Sequence, residues 1–343
     1  FFVSGAGYPI YRSRTPHCTV VIKVDEGGGG VVVQSGAAEI GQGCETMMAH
    51  VAAETLGIPL DLVRVRAGDS DLAMDLGAYS SRTTLMTGHA TKQAAEGVRR
   101  QVLASVAEAM GVPEEDLTIE AGLVKVKGEP GPFEPLRAEY QKEHRGWKTP
   151  DAPFLTFIEA SRLAFLDKGA IVATGQYRPP RLGGKFKGAT VGTSPAYGCS
   201  AQIAEVQVDL ETGQVRVLHV TAAHDCGKAI NRTQVEAQMH GCISMGLGEA
   251  LMEEVVFHPD GTIANPNFSD YRIPTALDVP DIDAIVIESD EPNGPFGAKE
   301  VGEGGIMPVI PAILNAIYNA TGVVIDELPA SPERILRSLR KRE

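Results

Sequence analysis

Glu303 stands between Gly302 and Gly304-Gly305, directly ahead of the apolar run "IMPVIPAILNAIYNATG". A carboxylate in a backbone nearly bare of side chains has two readings. It favours the start of the following helix, worth about 0.3–1 kcal/mol, or it accepts a proton from something large that lies against that backbone. Three other stretches share the composition of small residues, one or two amides or hydroxyls, and a helix directly after. They are Gly41-Gln42-Gly43; the run "GAYSSRTTLMTGHA" with Ser80, Ser81, Thr83 and Thr84; and Gln234 in "NRTQVEAQ". Glycine lets a ligand approach the backbone closely, and N–H groups at a helix start attract anionic groups such as phosphate. Together the four describe a site for a large, polar, phosphate-bearing cofactor. Each alone has a plainer reading: G-x-G as a turn, Ser80-Ser81-Arg82 as a helix cap with a solvated charge, Gln234 as a structural amide, and Cys44 as a core cysteine. Neither Gly41-x-Gly43 nor Gly246-x-Gly248 is followed by the third glycine of a dinucleotide fingerprint, and no Walker lysine follows a glycine loop. Nicotinamide dinucleotides and nucleoside triphosphates are therefore disfavoured.

These stretches need elements to hold them. "TVVIKVDEGGGGVVVQ", residues 19–34, alternates apolar residues around a glycine turn and reads as a hairpin. It leads through the Gly41–Gly43 loop into a helix from about Glu45, with Met48, Val51, Ala52 and Leu56 on one face, stopped by Gly57 and Pro59. The same grammar returns at 203–248: the hairpin "IAEVQVDLETGQVRVLHV", the loop "TAAHDCGKAINR", then a helix bearing Gln234 near its start. This predicts an internal pseudo-repeat of two related lobes. Between them lies a long amphipathic helix with Ala94, Ala95, Val98, Val102, Val106 and Met110 as its buried stripe, and then a short hairpin at "DLTIEAGLVKVKG". The proline-rich, charged stretch 128–152 suggests a lobe boundary within 130–165, giving lobes of 1–150 and 151–343. Ser331 and Pro332 mark the start of a final helix. The fold class expected is α+β: two lobes of β-hairpins and helices, with a broad apolar face for a partner chain.

Composition narrows the class of function. The formal charge of -13, from 31 basic and 44 acidic residues in 343, disfavours a nucleic-acid surface. Five dispersed cysteines without a C-x-x-C pair offer neither a zinc site nor a cluster motif and point to a reducing, cytoplasmic setting. There is no signal-peptide pattern and no membrane-spanning apolar run. The start at "FFVSGAGYPIYRS", without methionine, reads as a processed product or one piece of a larger whole.

Four blocks in order, "EIGQGCETMMAHVAAETLGIPLDLVRVRAGDSD", "GAYSSRTTLMTGHA", "EVQVDLETGQVRVLHVTAAHDCGKAINRTQVEAQMHG" and "GAKEVGEGGIMPVIPAILNAIYNATG", resemble the molybdopterin-binding subunit of the xanthine dehydrogenase and aldehyde oxidase family. The resemblance runs from about residue 20 to 340 and is to the second half of that subunit only. It extends to chains similar to the nicotinate dehydrogenase medium subunit and the 4-hydroxybenzoyl-CoA reductase large subunit. It implies that Gly41, Gln42 and Gly43 contact the pterin and its phosphates, that Ser80, Ser81, Thr83 and Thr84 surround the pyranopterin, and that Gln234 lies at the cofactor. It also implies that Glu303, after Gly302, is the general base beside the metal. The family's frequent Gly-Glu-Pro is here Gly302-Glu303-Gly304.

The implied cofactor is molybdenum with molybdopterin cytosine dinucleotide, the metal being held through the cofactor without protein ligands. The implied activity is oxidation, or reductive dehydroxylation, of an electron-poor carbon of an N-heterocycle, aldehyde or aromatic substrate with water-derived oxygen. The implied partners are a chain carrying the other half, a two-[2Fe–2S] iron–sulfur subunit and an FAD subunit. A non-catalytic molybdopterin-binding or assembly module is the alternative. His89, His224 and His240 have no role assigned, and a His224–Asp225 hydrogen-bonded pair is an open reading.

Overall fold

The structure is a computed structural model that describes residues 2–5, 16–25, 30–128, 133, 153–179 and 194–341. The chain divides into two compact units, one of residues 7–193 with 292–295, the other of 1–6, 194–291 and 296–343. The first strand, β1 (Phe2–Ser4), belongs to the second unit.

In the first unit, β2 (Cys18–Val24) and β3 (Val31–Ser35) form the expected antiparallel hairpin, in register from Val20 with Ser35 to Val24 with Val31. Its turn lies outside the described residues. Alternation decides the faces: Cys18, Val20, Ile22 and Val24 point inward and are at most 6% exposed. Helix α1 (Cys44–Leu56) then crosses back to β4 (Val63–Arg66), which pairs parallel to β3. A parallel return needs such a crossover, so β3-α1-β4 is a βαβ unit. The long helix α2 (Thr83–Met110) buries Ala94, Ala95, Val98, Val102 and Val106 completely, while Met110 at its end is only partly covered. It is followed by the hairpin β5 (Leu117–Glu120) and β6 (Leu123–Val126), which β7 (Leu155–Thr156) extends. Then come α3 (Phe157–Lys168) and β8 (Val172–Tyr177). Strand β8 pairs antiparallel with β2, giving the order β4-β3-β2-β8. Helix α2 lies so close over β8 that a Cβ on Gly175 would stand 1.9 Å from the Ala90 carbonyl oxygen. Because β8 and α3 pack in this unit, the compact division falls at 193/194, downstream of the 130–165 segment. Most of 128–152 lies outside the described residues.

The second unit repeats this plan. Strands β9 (Ala196–Val208) and β10 (Val215–Asp225) form the second hairpin, and α4 (Arg232–Leu251) crosses to β11 (Asp281–Ile287), parallel to β10. Strand β1 lies antiparallel beside β9, so the order β11-β10-β9-β1 matches β4-β3-β2-β8 position for position. A helix follows the return strand in both: α2 after β4, and α5 (Val309–Thr321) after β11. The pseudo-repeat is therefore hairpin, helix, parallel strand, loop, helix. The final helix, α6 (Pro332–Arg340), begins with Ser331 accepting from the Arg334 N–H, as the sequence indicates. The core of this unit is Val217, Val220, Met239, Ile243, Leu247, Ile313, Ile317 and Ile335. Each such side chain contributes roughly 1.5–3 kcal/mol by burial.

Mixed helices and sheets make this an α+β fold. Among the described residues no helix is long and apolar enough to cross a membrane. Large apolar side chains remain on the surface in the irregular segment after α4, with Phe268 80% and Leu277 93% exposed.

Candidate functional site

The repeat explains why four stretches share one composition: each lies at a helix start or in the loop before it, two per unit. In the first unit, Gly41 and Gly43 adopt φ of 102° and 79°, and Gly43 is the N-cap of α1. The backbone N–H groups here are already engaged. The Glu39 carboxylate accepts from Gly41 at 3.0 Å, Gly43 at 2.8 Å and Glu45 at 3.2 Å. Partial burial pushes its pKa up, but these three donors outweigh that and hold the carboxyl below its usual range. The chain's own Glu39 carboxylate thus pins this loop from within. Gln42 is folded onto the same loop, its Oε1 accepting from Ile40 N–H at 2.7 Å and its Nε2 donating to the Ala38 carbonyl at 3.0 Å. Cys44 is a core cysteine, 2% exposed, and its thiol is pushed up to about 12, first by burial and then by Glu39.

Before α2, Ser80 and Ser81 take consecutive left-handed conformations, φ 53° and 48°. Such backbone costs about 1–3 kcal/mol per residue and persists only where the surroundings impose it. Arg82 imposes it. The plain sequence reading of Arg82 as a solvated charge is overturned, since the residue is 1% exposed. Its Nη1 donates to Asp75 Oδ1 at 2.8 Å and to the Gly77 carbonyl, and its Nη2 to the His17 carbonyl at 2.9 Å. Thr87 Oγ1 donates to the other Asp75 oxygen at 2.7 Å. Neither serine is the N-cap of the helix: Arg82 occupies that position, without a capping side-chain bond, and no acidic residue lies in the first turn. Ser80 and Thr83 are 8% exposed, while Ser81 and Thr84 are half-buried.

In the second unit, Gln234 is half-buried in the first turn of α4, its N–H bonded to the N-cap Asn231 Oδ1 at 3.2 Å. Eight residues along, about 12 Å of helix, Cys242 reaches the Glu303 loop. Its thiol donates to the Gly302 carbonyl at 3.2 Å. The Gly304 N–H donates to Glu300 Oε2 at 3.3 Å, and Gln202 Nε2 on β9 donates to the Gly305 carbonyl at 2.7 Å. Each of the three glycines around Glu303 therefore has a backbone group tied to a side chain, with the Glu303 side chain exposed in their midst. The helix-start reading of Glu303 is not supported. The N-cap of α5 is Pro308, so Glu303 lies well before the first turn, where the helix field has its reach.

Behind the loop, residues 297–299 run along 226–228 as a short antiparallel strip: Lys299 N–H donates to the Cys226 carbonyl at 2.9 Å and Lys228 N–H to the Gly297 carbonyl at 2.8 Å. The readings of His224 with Asp225 separate here, because successive strand residues face opposite sides. Asp225 pairs with Lys299 Nζ at 2.7 Å and accepts from Ser289 Oγ, whereas His224 Nε2 lies 3.0 Å from the Glu300 carbonyl and 3.4 Å from its Oε1. Both groups facing Nε2 are acceptors, so Nε2 carries the ring proton. The His224 and Glu300 side chains are fully buried.

Burial pushes the His224 pKa below its ordinary 6.5, with the Glu300 carbonyl opposing. The folded value lies below the unfolded one, so the stability linked to this group is present above pH 6.5 and is lost as pH falls from there toward the folded value. A tenfold difference in proton affinity between the folded and unfolded chain corresponds to about 1.4 kcal/mol. The unfolding midpoint of the native protein should be level between pH 8 and 7 and decline below 6.5. His224→Gln should remove much of that decline; half-buried His89, also shifted down by burial, supplies another part. Glu39 and Asp225, held low by their donors, enter only below pH 4.5 and 3.8. A midpoint independent of pH between 7.5 and 5.5 would count against this assignment.

Sequence reasoning missed Glu39, Gln202, Glu300 and the role of Cys242. A carboxylate two residues before a G-x-G could have been read as its plug; the others had no local signal. Among the described residues no group of three or more His, Cys, Asp or Glu could hold a metal. A pterin carrying its own metal needs no such group. The observation that fits one is the start of α2, an uncapped helix end without acidic residues, set beside small hydroxylic side chains.

Each unit places loops with glycine or hydroxyl residues at its helix starts, an arrangement suited to an anionic cofactor. A model of the molybdopterin cofactor-binding domain matches residues 1–280. The chain is 32% identical over 313 residues to the xanthine dehydrogenase molybdenum-binding subunit of Escherichia coli O157:H7, covering 90% of this chain and 37% of that protein. It is 30% identical over 331 residues to the nicotine 6-hydroxylase large subunit of Paenarthrobacter nicotinovorans, covering 94% and 37%. The quinoline 2-oxidoreductase structure from Pseudomonas putida 86 superposes with a TM-score of 0.79 at 30% identity, over 96% of this chain and 39% of that one. The chain belongs to the molybdopterin cofactor-binding domain family, that of the molybdenum-binding subunits of xanthine dehydrogenase-type oxidoreductases. It spans a little over a third of the length of these curated relatives, 37%.

Proposed function

We propose that this chain supplies the Glu303 side of the active site of a molybdenum hydroxylase, and that its two units are two molybdopterin-binding lobes. In this reading the cofactor is the cytosine dinucleotide form, and Gly41, Gln42, Gly43, Ser80, Ser81, Thr83, Thr84, Gln234 and Gly302 contact it. When bound, the cofactor supplies the two-electron redox chemistry and oxygen transfer. This chain's residues do the rest. The Gln42 and Gln234 amides orient the pterin, the uncapped start of α2 faces its anionic part, and a Glu303 carboxylate oxygen accepts the proton released as water-derived oxygen is transferred to the substrate carbon. The substrate is an electron-poor carbon of an N-heterocycle, aldehyde or aromatic compound; run in reverse, the same parts would remove a hydroxyl group. Electrons leave through a two-[2Fe–2S] subunit and an FAD subunit, and a chain equivalent to the rest of the relatives' length completes the site, in the cytoplasm.

The observation that carries this reading is the three-point hold on the glycines around an exposed Glu303. A molybdopterin carrier or assembly module, the alternative, has no need to fix a proton acceptor. The test is metal and nucleotide analysis of the natively purified protein with its co-purifying chains, by mass spectrometry for molybdenum and by acid release for CMP. Both are expected, together with iron. Their absence from a complex assembled in the presence of molybdate would overturn the proposal.

A further inference from the structure

The geometry points to Glu300 as a positioning residue that fixes the Glu303 loop, with His224 as its buried backing. This rests on Glu303 being the base. Glu300 is 1% exposed, three residues before Glu303, in a hollow that exists because two glycines line it. A Cβ on Gly198 of β9 would stand 1.8 Å from Glu300 Oε1, and one on Gly304 would stand 2.3 Å from the same atom. The hollow is thus shaped to a carboxylate and admits no side chain on either wall. From there Glu300 accepts the Gly304 N–H at 3.3 Å, and His224 Nε2 closes its far side at 3.4 Å.

A buried ionisable side chain is retained at a cost that an apolar residue would avoid, so its place asks for a purpose. The purpose visible here is orientation. Between Val301 and Gly305 the loop has almost no side chains with which to hold itself, and glycine imposes little on the backbone. Without an acceptor beneath Gly304, the turn carrying Glu303 would sample many conformations. Turnover by a base is sensitive to misplacement on the scale of one ångström, about a hundredfold in rate. Gln202 and Cys242 hold the neighbouring carbonyls from β9 and α4, but Glu300 is the one of the three on the loop's own segment, so it ties the Glu303 turn to the strip 297–300 along the extension of β10.

The test uses the full complex with its cofactor and compares Glu300→Ala, Glu300→Gln and Glu303→Gln, with the combination of Glu300→Ala and Glu303→Gln. Glu300→Ala is expected to lower kcat about 10- to 100-fold, leave KM within about twofold, and keep molybdenum content. Hydrogen exchange of the peptide containing Gly304 should quicken about tenfold or more. Glu300→Gln keeps an acceptor for Gly304 but turns an NH2 group toward the His224 Nε2–H, so it should restore the slow exchange and part of kcat. In the Glu303→Gln background Glu300→Ala should cost nothing further, a non-additivity that general destabilisation would not produce. Wild-type kcat in Glu300→Ala, unchanged exchange, or an equal loss in the Glu303→Gln background would overturn the inference. If Glu303→Gln itself keeps full turnover, the catalytic reading fails, while quickened exchange would still report the hold on the loop. Should Glu300→Ala not assemble, Glu300→Met, which fills the hollow but offers Gly304 no carboxylate acceptor, carries the same test with the same expected outcomes.

Discussion

Glu303→Gln in the assembled complex is expected to lower kcat by about 10²–10⁴, the usual worth of a general base, with molybdenum and CMP content unchanged. Glutamine matches glutamate in size and keeps an acceptor oxygen, but it cannot take a proton at neutral pH. Because the Glu303 side chain is exposed, its own replacement should move the unfolding midpoint by no more than about 0.5 kcal/mol equivalent. That separation of rate from stability distinguishes a base from a structural carboxylate. A residue acting only on the following helix would show the reverse: a few tenths of a kcal/mol in stability and no change in rate. The placement of Pro308 as the N-cap already argues against that second pattern. Steady-state turnover alongside thermal unfolding decides it, and full turnover in Glu303→Gln would remove Glu303 from the mechanism.

The elements that carry this site were legible because their signals are local. The hairpin at 18–35 shows in period-two alternation, α1 and α2 in their apolar stripes and terminal glycines, and α6 in its Ser-Pro start. The pseudo-repeat was legible as two hairpins with following helices, yet it extends further than the sequence reveals. The parallel return strands β4 and β11 alternate half-buried with exposed positions and look like ordinary polar segments. Their partners β3 and β10 lie across a helix, a distance that local pattern cannot bridge. The site was legible wherever glycine and hydroxyl residues cluster, and opaque where a charge is buried by something remote. Glu300 reads as a surface residue in "GAKEVGEGG" until Gly198, a hundred positions away, is seen to form the wall beside it. Arg82 was misread for the same reason: its partner Asp75 is near in sequence, but the His17 carbonyl that completes its shell is 65 residues distant.

Arg82→Ala is expected to be the most destabilising single change in the first unit. Arg82 and Asp75 form an ion pair with side chains 1% and 2% exposed, 2.8 Å apart. Removing one member of a buried pair costs about 3–5 kcal/mol, because the other charge stays desolvated. Here Asp75 would keep, among the described residues, the Thr87 hydroxyl and the Gly77 N–H, while the Gly77 and His17 carbonyls would lose a donor. For a unit of this size the unfolding midpoint should fall by about 6–20 °C, at about 2–4 °C per kcal/mol. The pairing, and not the bulk of the side chain, should account for most of it: Arg82→Met alone should remain strongly destabilised, while Arg82→Met with Asp75→Leu should recover much of the loss. The effect should reach the proposed cofactor contacts, since Ser80 and Ser81 lie in the segment that the Asp75–Arg82 pair closes, and molybdenum retention should fall in the single variant and return in part in the double. A shift of less than about 1 °C in Arg82→Ala, measured by thermal unfolding of the complex, would mean that water reaches the pair and that the strain at Ser80 and Ser81 is supported by other contacts.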